Sequence, residues 1–399
     1  MIEGWAAPGF EGVRSAFREN FTQRGEVGAA FEVWRDGSPV VQLWGGVADM
    51  SSGRRWRPST HAVLFSATKG AVAAAYLCLV DRGLVDLESP VARYWPGFAQ
   101  GGKGAITVRT LLNHRSGLSV LDAPLELRDF ADPEHVESVL EAQVPLFEPG
   151  TGQAYGATAW GAFVGALFRR ITGTSVGRWL REHLFDAAGG ELRLGGPMDD
   201  AVDRAFLRTV QPRTVLTEQL PEVLFRRTPE ARFMRRIVAV RTWAGRAMLN
   251  PRMLGRGGFG LVNDPEILAL ELPWMNAMAS ARGLARLYAA LVSEVDGKRL
   301  VAPSTVEPLR RRQTWSDRDP VLQKPSGWSQ GFVKEETVLY SPNAASFGHP
   351  GAGGAFGWAD PDHAMAMAYV TNQMDWRMRS PRALALAHAT YAALDAPQR

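Results

Sequence analysis

Ser66 and Lys69 stand three residues apart in Leu64-Phe65-Ser66-Ala67-Thr68-Lys69-Gly70. If this stretch opens a helix, positions i and i+3 share a face and bring hydroxyl and amine within reach of each other. A serine hydroxyl is a weak nucleophile until a neighbour takes its proton, and a lysine can do so only if desolvation or a nearby cation lowers its pKa. The flanks favour that reading. Leu64 and Phe65 before the serine, and the small apolar residues 70–77 after it, make a helix in which an unpaired lysine is costly. Backbone N–H groups at a helix start also favour developing negative charge. The chemistry implied is acyl transfer through a serine ester.

Two further features could serve that chemistry. Tyr155 follows the turn Glu148-Pro149-Gly150-Thr151-Gly152 and precedes a small-residue helix expected over about 159–171, so its phenol can be held rigidly. Beside a lysine ammonium its pKa is expected to fall toward catalytic use. His349-Pro350-Gly351-Ala352-Gly353-Gly354-Ala355-Phe356-Gly357 reads as a glycine-rich strand edge that a substrate could approach closely. An N–H there could join the Ser66 N–H as an oxyanion hole.

Other motifs are set aside on context. Gly173-Thr174-Ser175-Val176-Gly177 matches Gly-x-Ser-x-Gly, but a helix precedes it where that motif needs a strand, so Gly173 reads as a helix stop. The glycine cluster at 255–260 lacks the strand and acidic partner of a dinucleotide site and reads as a loop. Arginines at 226, 227, 232, 235, 236, 241 and 246 alternate with Phe, Met, Ile and Val, which suits the solvated face of a helical insertion better than a polyanion site. The seven histidines show no metal-ligand spacing, so neither metal nor cofactor is expected.

Period-3.6 apolar spacing predicts helices over 9–23, from 66 to about Asp81 with a stop at Arg82-Gly83, from a Thr107 cap, over 279–292 and over 381–394. Alternation and turn chemistry predict a hairpin of 28–34 and 40–46 around Arg35-Asp36-Gly37, and strands over 328–333, 337–340, 344–349, 354–360 and 364–371. Strands at both ends with helices between imply an α/β (α+β) fold. One antiparallel sheet is built from both termini, about 1–60 and 325–399, beside a mostly helical lobe over about 61–324 with an insertion at 196–275. The whole chain, 1–399, reads as one catalytic unit.

A formal charge of +4 is thin over 399 residues and does not argue for nucleic acid. No run approaches eighteen apolar residues, so no membrane partner is expected. The start, Met1-Ile2-Glu3-Gly4-Trp5, has neither the basic nor the apolar region of a secretory leader. The single cysteine, Cys78, permits no internal disulfide, and a cytoplasmic location is the simplest expectation.

Together these residues resemble the class C β-lactamase and penicillin-binding protein superfamily, and more closely its β-lactamase-like (family VIII) carboxylesterases. The likeness rests on Trp44-Gly45-Gly46, residues 64–70, Asp81-Arg82-Gly83-Leu84-Val85-Asp86-Leu87, Leu111-Leu112-Asn113-His114-Arg115-Ser116-Gly117-Leu118, Pro149-Gly150-Thr151 and Phe347-Gly348-His349-Pro350-Gly351. It implies Ser66 as acyl nucleophile, Lys69 and Tyr155 as its base system, the N–H groups of Ser66 and Ala352 as oxyanion hole, and His349, Gly351 and Gly353 against the substrate. Two departures stand out. The family's Tyr-x-Asn is here Tyr155-Gly156-Ala157, and its Lys-Thr-Gly is His349-Pro350-Gly351, so a mostly neutral histidine replaces the cation that would hold a β-lactam carboxylate.

The resemblance therefore implies hydrolysis of neutral, short- to medium-chain carboxylic esters, with a small-molecule substrate as partner. Transfer of the acyl group to an amine or alcohol, or weak β-lactamase, peptidase or amidase activity, would use the same residues. A hydrophobic acyl pocket under the insertion, near Trp243 and Trp274, is a further expectation.

Overall fold

A computed structural model of the chain describes residues 2–184, 186–198, 202–251, 258–334 and 340–395. Its sheet strands are β1 (Ile2–Ala6), β2 (Gly28–Arg35), β3 (Ser38–Asp49), β4 (Thr314–Ser316), β5 (Ser326–Ser329), β6 (Phe332–Lys334), β7 (Phe347–Pro350), β8 (Phe356–Asp360) and β9 (Met365–Thr371). They run in the order β1-β3-β2-β9-β8-β7-β6-β5-β4, with Arg54–Arg55 added beside β3. Every pair is antiparallel. The two chain ends meet where β2 pairs β9, from Met365 opposite Arg35 to Thr371 opposite Ala29. The α/β fold with a sheet from both termini is thus as the sequence implied.

Helix α1 (Glu11–Gln23) has Val13, Ala16, Phe17 and Asn20 buried, the stripe its apolar spacing called for. With the C-terminal helix Pro381–Asp395 it covers one face of the sheet, where Phe17, Phe31, Val33, Met367 and Leu386 share a core. The helix Ala281–Val292 covers the other face, so β2 is buried over seven of its eight residues. That is why β2 reads as an apolar run rather than a clean alternation.

The other helices make the second half of the molecule. Among them α2 (Thr68–Asp81) is buried from Thr68 to Leu79, which its alanines and glycine permit, and it ends at Gly83 with φ of +67°. Next come α3 (Val108–Leu112), capped by the Thr107 hydroxyl as expected, and α4 (Ala159–Thr172). Across the mouth of the site lies a cap of short helices: a helical run from Pro212 through α5 (Leu220–Phe225), then α6 (Pro229–Val238) and α7 (Trp243–Leu249).

Several elements differ from expectation. The strand expected over 328–333 is a hairpin, β5 and β6, because Gln330 (φ +50°) and Gly331 (φ +88°) form the left-handed turn that two-residue hairpins favour. Strand β7 starts only at Phe347, since Asn343 ties down Ala345 and Ser346 in a turn. Strand β8 starts at Phe356, after the Ala352–Gly354 turn. β1 and β4 went unread, and β4 lies ahead of the expected sheet boundary at 325. Residues 337–339 of an expected strand, and Gly255 to Gly257 of the glycine cluster, lie outside the described residues; Gly258–Asn263 is a 3₁₀ helix.

Candidate active site

Ser66 is delivered by a strained turn rather than by the helix itself. Phe65, ahead of it, has φ of +46° within the 3₁₀ turn Phe65–Ala67, an uncommon geometry for a side chain of this bulk. Two bonds hold the turn against the segment before Ala281–Val292: Leu64 N–H donates to the Ala277 carbonyl at 2.8 Å, and Ala277 N–H to the Thr68 hydroxyl at 3.1 Å. From residue 61 to residue 70 only Ser66 is not buried.

Lys69, on the first turn of α2, is completely buried. Its Nζ lies 3.5 Å from Ser66 Oγ, 2.8 Å from the Ala157 carbonyl and 3.2 Å from the Trp274 carbonyl. Burial drives its pKa well below the ordinary 10.5. A neutral amine has two N–H donors, which the two carbonyls take, and its lone pair then faces the serine. An ammonium would turn its third proton toward the same oxygen, so the geometry accepts both protonation states.

Tyr155 donates from its hydroxyl to Ser66 Oγ at 3.0 Å. Its ring stacks on Trp328 at 5.5 Å between centroids and 10° between planes. The backbone here is clamped from both sides. Ala154 N–H donates to the His114 carbonyl at 3.0 Å and Gly156 N–H to His114 Nδ1 at 3.1 Å, while Tyr155 N–H donates to Asp319 Oδ2 at 3.0 Å. The expected fall in the phenol pKa is overturned: burial pushes it up, outweighing the Ser66 hydrogen bond, with the Asp319 charge adding to the rise. The neighbouring lysine amine, 5.1 Å from the ring centroid, is itself shifted by burial toward its neutral form.

The glycine-rich edge does come against Ser66. A Cβ on Gly351 would sit 2.1 Å from the Leu64 carbonyl oxygen, so only glycine lets the end of β7 press onto the serine turn. Gly353 (φ +86°) then turns the chain, and Ala352 and Gly353 border the same cavity as Ser66. His349 is in the wall of that cavity, with Nδ1 2.8 Å from the Pro350 carbonyl. Burial, then the Lys69 charge, pulls its pKa down to about 3, so at neutral pH it offers no cation to a carboxylate.

His114 and Asp319 are the site residues that sequence reasoning missed. His114 lay inside a quoted motif but was given no role, and Asp319 is 164 residues from the tyrosine it holds, with no local signal. Conversely, Ser175 is a helix cap, accepting from Arg178 N–H at 3.3 Å, and Gly173 ends α4 with φ of +72°, as its context indicated.

A cavity of about 540 Å³ opens above Ser66. Phe65, Phe259, Trp274 and Trp358 give it apolar walls, and Phe233, Met234 and Ile237 of α6 border it from the cap. Trp274 lies where the pocket was expected, but Trp243 instead stacks on Phe147 at 5.9 Å. No group of His, Cys, Asp or Glu among the described residues is arranged to hold a metal ion.

A nucleophile-type hydroxyl with an amine and a phenol on it, at the seam of an antiparallel sheet and a helical half, defines a site able to carry out serine acyl transfer. The chain belongs to the Beta-lactamase family, whose family model matches residues 13–391. It is 34% identical over 379 residues to the protein named Esterase/beta-lactamase LipL of Mycobacterium tuberculosis, covering 94% of this chain and 83% of that one. The fold superposes on the crystal structure of a family VIII carboxylesterase with a TM-score of 0.86 at 33% identity, covering 98% of this chain and 100% of the other. A shorter stretch of 144 residues is 32% identical to monacolin J acid methylbutanoyltransferase of Aspergillus terreus, covering 30% of this chain and 34% of that protein.

Proposed function

We propose that the chain is a serine carboxylesterase that cleaves short- to medium-chain esters through an acyl-enzyme on Ser66. The observation that carries the reading is the buried Lys69 side chain, its Nζ held by the Ala157 and Trp274 carbonyls and 3.5 Å from Ser66 Oγ. Oγ attacks the ester carbonyl and its proton passes to Lys69 Nζ. As the intermediate collapses, the Tyr155 hydroxyl, already on Oγ, gives its proton to the leaving alkoxide and takes one back from the Lys69 ammonium, which becomes the free amine again; the raised phenol pKa suits Tyr155 to rest as a donor rather than as a phenolate. The N–H groups of Ser66 and Ala352 take the carbonyl oxygen as it gains charge. Water then attacks the acyl-enzyme, with Lys69 returning as base.

The apolar cavity and the neutral His349 favour neutral, hydrophobic acyl groups over the carboxylate of a β-lactam. The family VIII carboxylesterase relative points the same way, while the name of LipL carries both esterase and β-lactamase. The methylbutanoyltransferase relative favours, as a second reading, transfer of the acyl group to an amine or alcohol in place of water. A cytoplasmic location belongs to the same proposal, supported by the single, buried Cys78, and cell fractionation tests it.

The test is turnover of p-nitrophenyl esters of increasing acyl length beside a chromogenic cephalosporin, with and without added amines and alcohols. Ester cleavage far above cephalosporin cleavage is expected, and a shift of product from acid to amide or ester would favour the second reading. Ester turnover no higher than in Ser66→Ala would overturn both.

A further inference from the structure

Ten large hydrophobic side chains stand exposed among the described residues, and six of them fall in one stretch of the cap: Leu216, Leu220, Leu224, Phe225, Val238 and Val240, from 41% to 81% exposed. Leu216, Leu220 and Leu224 are spaced by four along the helical run that ends in α5, so they share one side of it. The inner residues of the same cap, Phe233, Met234 and Ile237, border the cavity above Ser66. The cap is therefore apolar on two faces, one turned to the site and one to solvent, where an ordinary surface helix has a single apolar stripe.

Charge decides what could meet the outer face. Residues 211–246 hold eight arginines against three glutamates, with no lysine or aspartate. Arg226, Arg227, Arg236 and Arg241 are exposed, and no carboxylate among the described residues pairs with them. The one exposed glutamate, Glu218, is paired with Arg377 at 2.7 Å. A second copy docked across a two-fold axis would set arginines against arginines. A neutral apolar partner would cover guanidinium groups without pairing them. An anionic lipid surface accepts both kinds of group: the Leu, Phe and Val side chains enter the acyl boundary while arginines stay among the phosphates.

We propose that the outer face of the 212–241 cap docks on an anionic lipid–water interface, which presents the mouth of the cavity to esters held there. This revises the sequence expectation of no membrane partner, which rested on the lack of a spanning segment; among the described residues no helix is long and apolar enough to cross a bilayer. Docking at a surface needs none.

The test is co-sedimentation of the full chain with phosphatidylglycerol vesicles and, separately, with phosphatidylcholine vesicles. Binding to the anionic vesicles alone, weakening as salt is raised, is expected. Leu224→Ser/Phe225→Ser and Arg226→Glu/Arg227→Glu should each lose most of that binding yet cleave a water-soluble acetate ester at the wild-type rate, which also certifies their folding. Anionic vesicles left unbound, or bound equally by both variants, would overturn the proposal. A dimer of the free chain that either variant splits into monomers would assign the face to a second copy instead and overturn it as well. Vesicle binding needs no ester chemistry, so its failure leaves the esterase reading untouched, and the reverse holds too.

Discussion

Around Ser66 the side chains that matter are sealed: Lys69 has no exposed surface, Trp274 and Trp328 are each 1% exposed, and His349 is 2% exposed. Across the cavity the cap leaves Leu224 65% and Phe225 81% in solvent, near exposed arginines that no carboxylate among the described residues pairs with. The floor uses burial to shift protonation, lowering the pKa of an amine and an imidazole and raising that of a phenol. The cap sets access and what the molecule meets. Changes in the floor should therefore cost chemistry or folding, and changes in the outer cap should cost neither.

The largest expected effect is at the base. Lys69→Ala should lower kcat/KM by about 10²- to 10⁴-fold, the usual contribution of a positioned base, with far-UV circular dichroism unchanged. In the parent chain, turnover should fall as pH drops through the lowered lysine pKa, because the proposed mechanism needs the free amine as base. The same depression means that between the folded pKa and the unfolded value of 10.5 only the unfolded chain holds this proton, so stability rises with pH across that window. Denaturant titrations of Lys69→Met at several pH values should show that slope reduced by one proton. An unreduced slope would mean that Lys69 rests as an ammonium, and the contrast between floor and cap would lose its basis.

Gly351→Ala comes next. Its methyl would collide with the Leu64 carbonyl and push β7 off the serine turn, and misplacement on the scale of 1 Å costs about 10²-fold in rate. Single-turnover acylation should slow while the KM of a short ester changes little. Asp319→Asn acts further from the chemistry. The buried carboxylate accepts from Tyr155, Val321 and Leu322 N–H groups, and an amide would turn donors toward some of them, a loss of about 1–3 kcal/mol. Denaturant unfolding should show that loss together with slower turnover, whereas a variant with unchanged stability would remove the clamp on Tyr155 from the account. The smallest effect should be at Phe225→Ser, within about 0.5 kcal/mol of wild type in the same titration. A large destabilisation there would show that Phe225 is not a free surface.

Much of this was legible in the chain because the relevant signals are local. The turn at Asp36-Gly37, the apolar run of β2, the alternation in β3 and the stripe of α1 are each carried by neighbouring residues, and Ser66 and Lys69 are three residues apart. Strand β1 was not legible: it has five residues around a glycine and forms only because β3 offers Val41 to Gly45 as partners. The Gln330-Gly331 turn was hidden because glutamine rarely signals a left-handed position. At the site the unread parts are tertiary. His114 and Asp319 act on Tyr155 across the fold, and the direction of the Tyr155 pKa depends on burial that no neighbouring residue announces. The cap was read as a solvated arginine face; its exposed leucines and valines became visible only once the inner face was known.

An acyl-enzyme on Ser66 is tested by the intact mass of the protein after brief exposure to a fluorophosphonate, with Ser66→Ala beside it. A single adduct on the wild type, absent from Ser66→Ala and accompanied by loss of ester turnover, is the expected result. An unmodified wild type, or an adduct that persists in Ser66→Ala, would contradict an acyl-enzyme on Ser66.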